Sequence, residues 1–118
     1  MRQAAQSEAL MTPGTNYAVS DLQRENAESL SGLVLLQFGT NWCGHCQNAQ
    51  ALIEPAMDSR PDVARYWIED GPGRPLGRSY RIKQWPTLVL LRNGQEVGRL
   101  VRPQDATQLL DMFKAASA

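Results

Sequence analysis

A chain of 118 residues with 42% apolar and 20% charged side chains can bury about two thirds of the surface its unfolded form exposes, so one globular domain with a disulfide-independent core is expected. No run approaches the ~20 apolar residues of a membrane span, and residues 1–14 hold no apolar stretch of the kind a signal peptide needs. Net charge is zero but unevenly spread: residues 1–70 hold 4 basic and 9 acidic side chains, whereas residues 71–102 hold 7 basic ones and only Glu96 as an acid. That asymmetry is either solvated surface or a positive rim that steers acidic partners, and no nucleic-acid motif accompanies it.

In chain order, residues 1–14 read as a flexible tail and residues 15–118 as the domain. Tyr17-Ala18-Val19 is a short strand candidate, and Ser20 suits the N-cap of a helix from about Asp21 to Leu30. Gly32 breaks the chain before Leu33-Val34-Leu35-Leu36-Gln37-Phe38, a continuous run expected to be a strand buried on both faces. Ala49, Leu52, Ile53, Ala56 and Met57 predict a helix from about Gly44 to Asp58. Val63 to Ile68 is a second buried-strand candidate, Gly71-Pro72-Gly73 a turn, and Pro75 to Tyr80 a short helix. Thr87 to Leu91 is a third apolar strand, joined through Asn93-Gly94 to a partner strand from Glu96 to Val101. Pro103 is expected to open a last helix carrying Ala106, Leu109, Leu110 and Phe113 on one face. The alternation of strands and helices predicts an α/β domain, a mixed sheet with helices on both faces.

Between the first long strand and its helix stands Trp42-Cys43-Gly44-His45-Cys46, which contains the only two cysteines and the only histidine. Two thiols separated by two residues at a helix start close and reopen a small disulfide ring, and so exchange electrons with another dithiol or disulfide. A static structural disulfide and a shared metal site are the alternatives for the same pair. One chain offers too few soft ligands to close a zinc site, so no metal and no cofactor are expected.

From about Tyr17 to Phe113 the chain resembles thioredoxin. The resemblance rests on the apolar strand ending in Gln37-Phe38, the Cys43-Gly44-His45-Cys46 motif directly after it, Trp85-Pro86-Thr87 ahead of the next strand, and Arg92-Asn93-Gly94 in the final hairpin. The Gly-His pair is similar to that of protein disulfide isomerase domains. The resemblance implies a thioredoxin fold and thiol–disulfide oxidoreduction on protein substrates. Cys43 would be the nucleophile, favoured as thiolate by the helix N-terminus, and Cys46, one turn deeper and more buried, would resolve the mixed disulfide. His45, as imidazolium, would stabilise the reduced form and make the pair more oxidising than ordinary thioredoxin. Pro86 would be a cis proline, and Trp42, Gly44, Trp85, Pro86 and Thr87 would seat the substrate.

Against the family pattern, Gln37 stands where thioredoxins carry a buried acid that helps move the proton of the resolving cysteine. An amide cannot accept a proton near neutral pH, so water or an inward-turned Glu69 is the expected substitute. Arg65, matching the family's buried basic residue, is then expected to lack its ion-pair partner and lie at the strand surface. Arg102 stands near a position where the family has glycine, and Pro55 is the first proline of the active-site helix, nine residues after Cys46. The partners implied are protein thiols and disulfides with a thioredoxin reductase or another dithiol donor, and neither nucleic acid nor membrane. A monomer is expected, cytoplasmic, or periplasmic if a signal sequence has been removed. A binding or chaperone-like module with weak redox turnover is the rival reading, supported by Gln37 and Arg102. A glutathione-using enzyme is a third.

Overall fold

The structure, a computed structural model, describes residues 15–117; the expected flexible tail at residues 1–14 lies outside the described residues. The elements are α1 (Arg24–Glu28), β1 (Leu33–Gly39), α2 (Gly44–Ser59), β2 (Ala64–Glu69), α3 (Pro75–Ser79), β3 (Thr87–Arg92), β4 (Gln95–Val101) and α4 (Ala106–Ser117). The sheet runs β2-β1-β3-β4, with β1 and β2 parallel and the other two pairs antiparallel. A single parallel bridge from Ala18 to Ile68 extends it at the outer edge of β2, where the Tyr17-Ala18-Val19 strand was expected.

The two central strands are apolar on both faces because both faces are covered. Leu35, Leu88 and Leu90 pack on one side with Ile53 of α2 and Leu109 and Phe113 of α4. Val34, Leu36, Phe38, Val89 and Leu91 pack on the other with Ala27 of α1, Leu76 of α3 and Tyr80. A fully buried leucine or phenylalanine contributes about 1.5–3 kcal/mol, so this double layer dominates the stability of the domain. Gln37 is the one polar side chain within the β1 run, and it is fully buried.

Three expectations are corrected. Strand β2 is half-buried rather than buried on both faces, because it is the outer strand of the sheet and only Ile68 is fully covered. Helix α1 is five residues long and starts after Gln23. Ser20 caps no helix: its hydroxyl accepts from the Leu22 N–H in a local turn, while Asn26 Oδ1 accepts from the Gln23 N–H at the true helix start. Helix α4 is opened by Asp105, whose carboxylate accepts from the Gln108 N–H while the Gln108 side chain accepts from the Asp105 and Gln104 N–H groups, a reciprocal cap. Pro103 is buried ahead of that turn.

At the β3–β4 hairpin, Asn93 and Gly94 have φ of 50° and 83°, the pair of positive angles that a tight two-residue turn between twisted strands requires. Helix α2 runs unbroken through Pro55, which is exposed, so the carbonyl it leaves unpaired is on the wetter side of the helix.

Candidate active site

The site forms where β1 ends and α2 begins. Gly39 is the last residue of β1, and the chain turns through Thr40, Asn41 and Trp42 to reach Cys43. Cys43 is the N-cap of α2, in extended conformation, and its Sγ accepts the Cys46 N–H at 3.2 Å. A sulfur in that position faces the unpaired N–H groups and the positive end of the helix dipole. Both cysteines are free thiols; Cys43 is 7% exposed and Cys46 is fully buried one turn further in. Burial pushes the Cys46 thiol well up, and its contact with Cys43 adds to that. The Thr40 backbone and the Tyr17 hydroxyl act in the opposite direction. Only Cys43 therefore presents sulfur to an incoming partner.

Gly44 and His45 are exposed in the first turn of α2. Trp42 is 75% exposed and meets the ring of Trp85 edge-on, with centroids 5.6 Å apart. Trp85 is half-buried, packs against the cysteines and Tyr17, and donates its indole N–H to Asp70 at 2.9 Å. The Trp85–Pro86 peptide bond is cis, and Pro86 is buried. Thr87 was expected among the substrate contacts, but it is 1% exposed and its hydroxyl donates to the Gln84 carbonyl at 2.6 Å. It fastens the proline loop to the sheet and has no face left for a substrate.

Beside Trp85 lies an open cavity of about 300 Å³ whose lining includes Asp70, Arg74, Arg78 and Lys83. Of the basic side chains in residues 71–102, Arg74, Arg78 and Lys83 thus gather beside Trp85, and Arg74 is paired with Glu69. Arg99 instead pairs with Glu96, and Arg92 donates to the Ala116 carbonyl, both away from the cysteines.

Around Gln37 the structure overturns two more expectations. Glu69 does not turn inward; its carboxylate takes the Arg74 guanidinium at 3.2 Å. Arg65 is not a surface cation without a partner: its side chain is 14% exposed, its Nη1 donates to Glu54 Oε2 at 2.7 Å, and the guanidinium lies 4.3 Å from the Trp67 ring centroid. Glu54 Oε2 also accepts from Gln50 Nε2. Gln37 Nε2 reaches both Gln50 Oε1, at 3.3 Å, and Tyr17 Oη, at 2.8 Å. A chain of side-chain hydrogen bonds thus runs from the Arg65–Glu54 pair to Tyr17 beside the cysteines.

Cys46, Gln50 and Glu54 follow one another at intervals of four along α2, so their shared face was open to sequence reading. Tyr17 and Asp70 carried no signal of that kind. Each reaches the site from a segment remote in sequence, and only the fold brings it there.

Known proteins share this fold. The family model described as Thioredoxin matches residues 18–115. The chain belongs to the thioredoxin family. The solved structure of thioredoxin 2 from Pseudomonas aeruginosa in its reduced form is similar, at 46% identity and a TM-score of 0.77, over 86% of this chain and 94% of that one. A mutant thioredoxin from Halobacterium salinarum superposes with a TM-score of 0.70 at 26% identity, over 91% and 95% of the two chains. A thioredoxin of Chlamydia trachomatis is 34% identical over 98 residues, 80% of this chain and 95% of its own. As in the family, the fold is a mixed sheet with helices on both faces and a Cys-x-x-Cys pair at the start of a helix, the constellation of a thiol–disulfide oxidoreductase.

Proposed function

We propose that this thioredoxin-family oxidoreductase exchanges its Cys43–Cys46 pair with protein thiols and disulfides and is more oxidising than ordinary thioredoxin. The observation that carries the proposal is Cys43 at the N-cap of α2, 7% exposed, with Cys46 fully buried one turn behind it. In the reducing direction the Cys43 thiolate attacks a partner's disulfide and forms a mixed disulfide, and one partner sulfur leaves as thiolate. Cys46 then attacks Cys43 Sγ, the internal disulfide forms, and the second partner thiol departs. Two electrons have moved from the dithiol to the partner, and the reverse sequence oxidises a partner.

Exposed Trp42, half-buried Trp85 and the open groove beside them supply a flat apolar contact for a partner chain, and Arg78 and Lys83 at its edge favour an acidic one. A thioredoxin reductase or another dithiol donor would return the pair to its reduced form. His45 supports the more oxidising character: exposed in the first turn of α2, it stabilises the reduced form alone when charged, which raises the potential.

The test is the reduction potential of the pair in glutathione buffers, followed by the emission of Trp42 and Trp85. A value well above the roughly −270 mV of thioredoxin, shifted toward it in His45→Pro, is the expected result. A value at about −270 mV in both proteins sinks the oxidising role.

A second reading, a binding module with little turnover, draws on Arg102. Its Nε donates to the Trp85 carbonyl at 2.8 Å and so occupies a backbone acceptor beside the proline loop. Cys46→Ser separates the two readings: an exchange enzyme accumulates clients as mixed disulfides on Cys43, whereas a binding module holds them in a form that denaturant alone releases.

A further inference from the structure

Cys46 has to lose its proton in a place from which water is excluded, and the residue six positions before Cys43 is an amide rather than a carboxylate. A second protic group stands beside that sulfur. A Cβ placed on Gly39 would lie 2.6 Å from Cys46 Sγ and 2.9 Å from Tyr17 Oη, so both atoms converge on the space that the missing side chain leaves free. Tyr17, Cys43 and Cys46 form one buried cluster, closed by Trp67 and Trp85.

The direction of the Tyr17 hydroxyl is fixed from the far end of the hydrogen-bond chain. The Glu54 carboxylate only accepts, so Gln50 must turn its NH2 toward Glu54 and its oxygen toward Gln37. Gln37 must then present its NH2 to Gln50, and the same nitrogen donates to Tyr17 Oη. A phenol has one proton. With Oη already accepting from Gln37, that proton is free for the Cys46 sulfur, which borders the same space beside Gly39.

We infer that Tyr17 is a catalytic residue of the resolving step, donating a hydrogen bond from its hydroxyl to the Cys46 thiolate, and that Gln37 is the positioning residue that aims it. The inference rests on the exchange reading of the cysteine pair. Tyr17 acts by stabilising the anion and not by accepting the proton. Burial, with the nearby cysteine charges, pushes its own phenol well above the ordinary tyrosine range, so it keeps a proton to donate. In the step itself the Cys46 thiolate attacks Cys43 Sγ. The Cys43–Cys46 bond forms as the bond from Cys43 to the partner sulfur breaks, and the electron pair leaves on the partner sulfur. The proton lost by Cys46 passes to solvent, and the partner sulfur departs as the thiolate that carries the electron pair.

Tyr17→Phe removes only the hydroxyl. Asn41 holds the Tyr17 segment through its backbone, accepting from the Tyr17 N–H at 2.9 Å and donating to its carbonyl at 3.0 Å. The edge-on contact with Trp67, centroids 5.1 Å apart, survives in phenylalanine. Cys43 and Tyr17 are the titratable groups in the cluster with Cys46. Glu54 and Arg65 stand at the far end of the amide chain, Asp70 is on the indole of Trp85, and His45 is exposed.

The experiment mixes the reduced protein with dithiobis(nitrobenzoate) and follows thiolate release by stopped flow across a pH series. The first release reports attack by Cys43, and the second reports attack by Cys46. Tyr17→Phe is expected to leave the first release within about twofold of the parent and to slow the second about tenfold, with its pH profile displaced upward, as loss of a hydrogen bond to a charged group requires. Gln37→Met keeps the hydroxyl but frees its orientation; it is expected to slow the second release alone, by about threefold, and it decides the matter if Tyr17→Phe does not fold. An unchanged second release and pH profile in the folded variants overturns the inference, as does equal slowing of both releases. A parent protein that attacks through Cys43 but never shows the second release overturns the exchange reading itself.

Discussion

Arg65 carries a charge where the sheet has little water to offer it. Its side chain is 14% exposed, and its Nε and Nη2 have no partner among the described residues, so Glu54 and the face of Trp67 are what keep it. The Glu54 side chain is 43% exposed, so the attraction between the two is screened and modest. The larger effect lies in what remains if one partner goes. Glu54→Gln leaves a nearly buried guanidinium without an anion and is expected to cost about 1–3 kcal/mol in urea unfolding. Arg65→Met removes the charge together with its unmet donors and keeps the stem packed on Trp67, so it is expected to cost less. If the two variants are equally destabilised, the unpaired charge is not the cause. This pair could have been anticipated from the sequence, because Glu54 stands two steps of four beyond Cys46 on one face of α2. Glu69, the acid at the end of β2, is instead taken up by Arg74.

Among the elements, those built from uninterrupted apolar runs or from strong turn chemistry were legible. Leu33 to Phe38 and Thr87 to Leu91 had no alternative to burial, and Asn93-Gly94 admits little besides a hairpin. Helix starts were less so, since Ser20 and Pro103 are good starting residues that the chain uses for something else. The turn after β4 was signalled only by the family's glycine near position 102, since the arginine itself gives no sign of it. Arg102 has φ of 50°, a left-handed conformation that costs a non-glycine residue about 1–2 kcal/mol. Two hydrogen bonds hold it there: its N–H donates to the Pro86 carbonyl at 2.9 Å and its Nε to the Trp85 carbonyl. The side-chain bond, exposed to water, contributes about 0.5–1.5 kcal/mol. Arg102→Ala keeps the strain and loses that bond, so it is expected to lower stability by about 1 kcal/mol. Arg102→Gly loses the bond but relieves the strain, and its extra freedom in the unfolded chain offsets part of the relief, so it is expected to stay within about 0.5 kcal/mol of the parent. Thermal midpoints of the three proteins check the order. A glycine variant less stable than the alanine one would show that the turn is not strained.

Taken as a whole, the domain gathers its site from segments far apart in the chain: the stretch at Tyr17, the end of β1, the first turns of α2, Asp70 and the proline loop. The cysteines were legible because only two residues separate them in sequence; Tyr17 was not, because an edge strand with a single bridge gives no periodic signal. That construction makes the site a liability at high pH. Burial raises the thiol of Cys46 and the phenol of Tyr17 in the folded state, whereas in the unfolded chain they titrate near their ordinary values of about 8.5 and 10. Above those values the unfolded chain holds fewer protons than the folded one, so unfolding becomes more favourable as pH rises. The stabilising difference is complete below about pH 8.5, begins to erode there as unfolded Cys46 ionises, and erodes faster above about pH 10, when Tyr17 joins it. Each group adds a slope of at most about 1.4 kcal/mol per pH unit. Tyr80, also raised by burial, contributes to the upper limb. Urea unfolding of the reduced protein between neutral and strongly alkaline pH is expected to show this two-stage decline. Cys46→Ala is expected to remove the first stage, and Tyr17→Phe to flatten the second without abolishing it. A first stage that persists in Cys46→Ala would mean that another thiol or amine, not the buried cysteine, sets the alkaline limit.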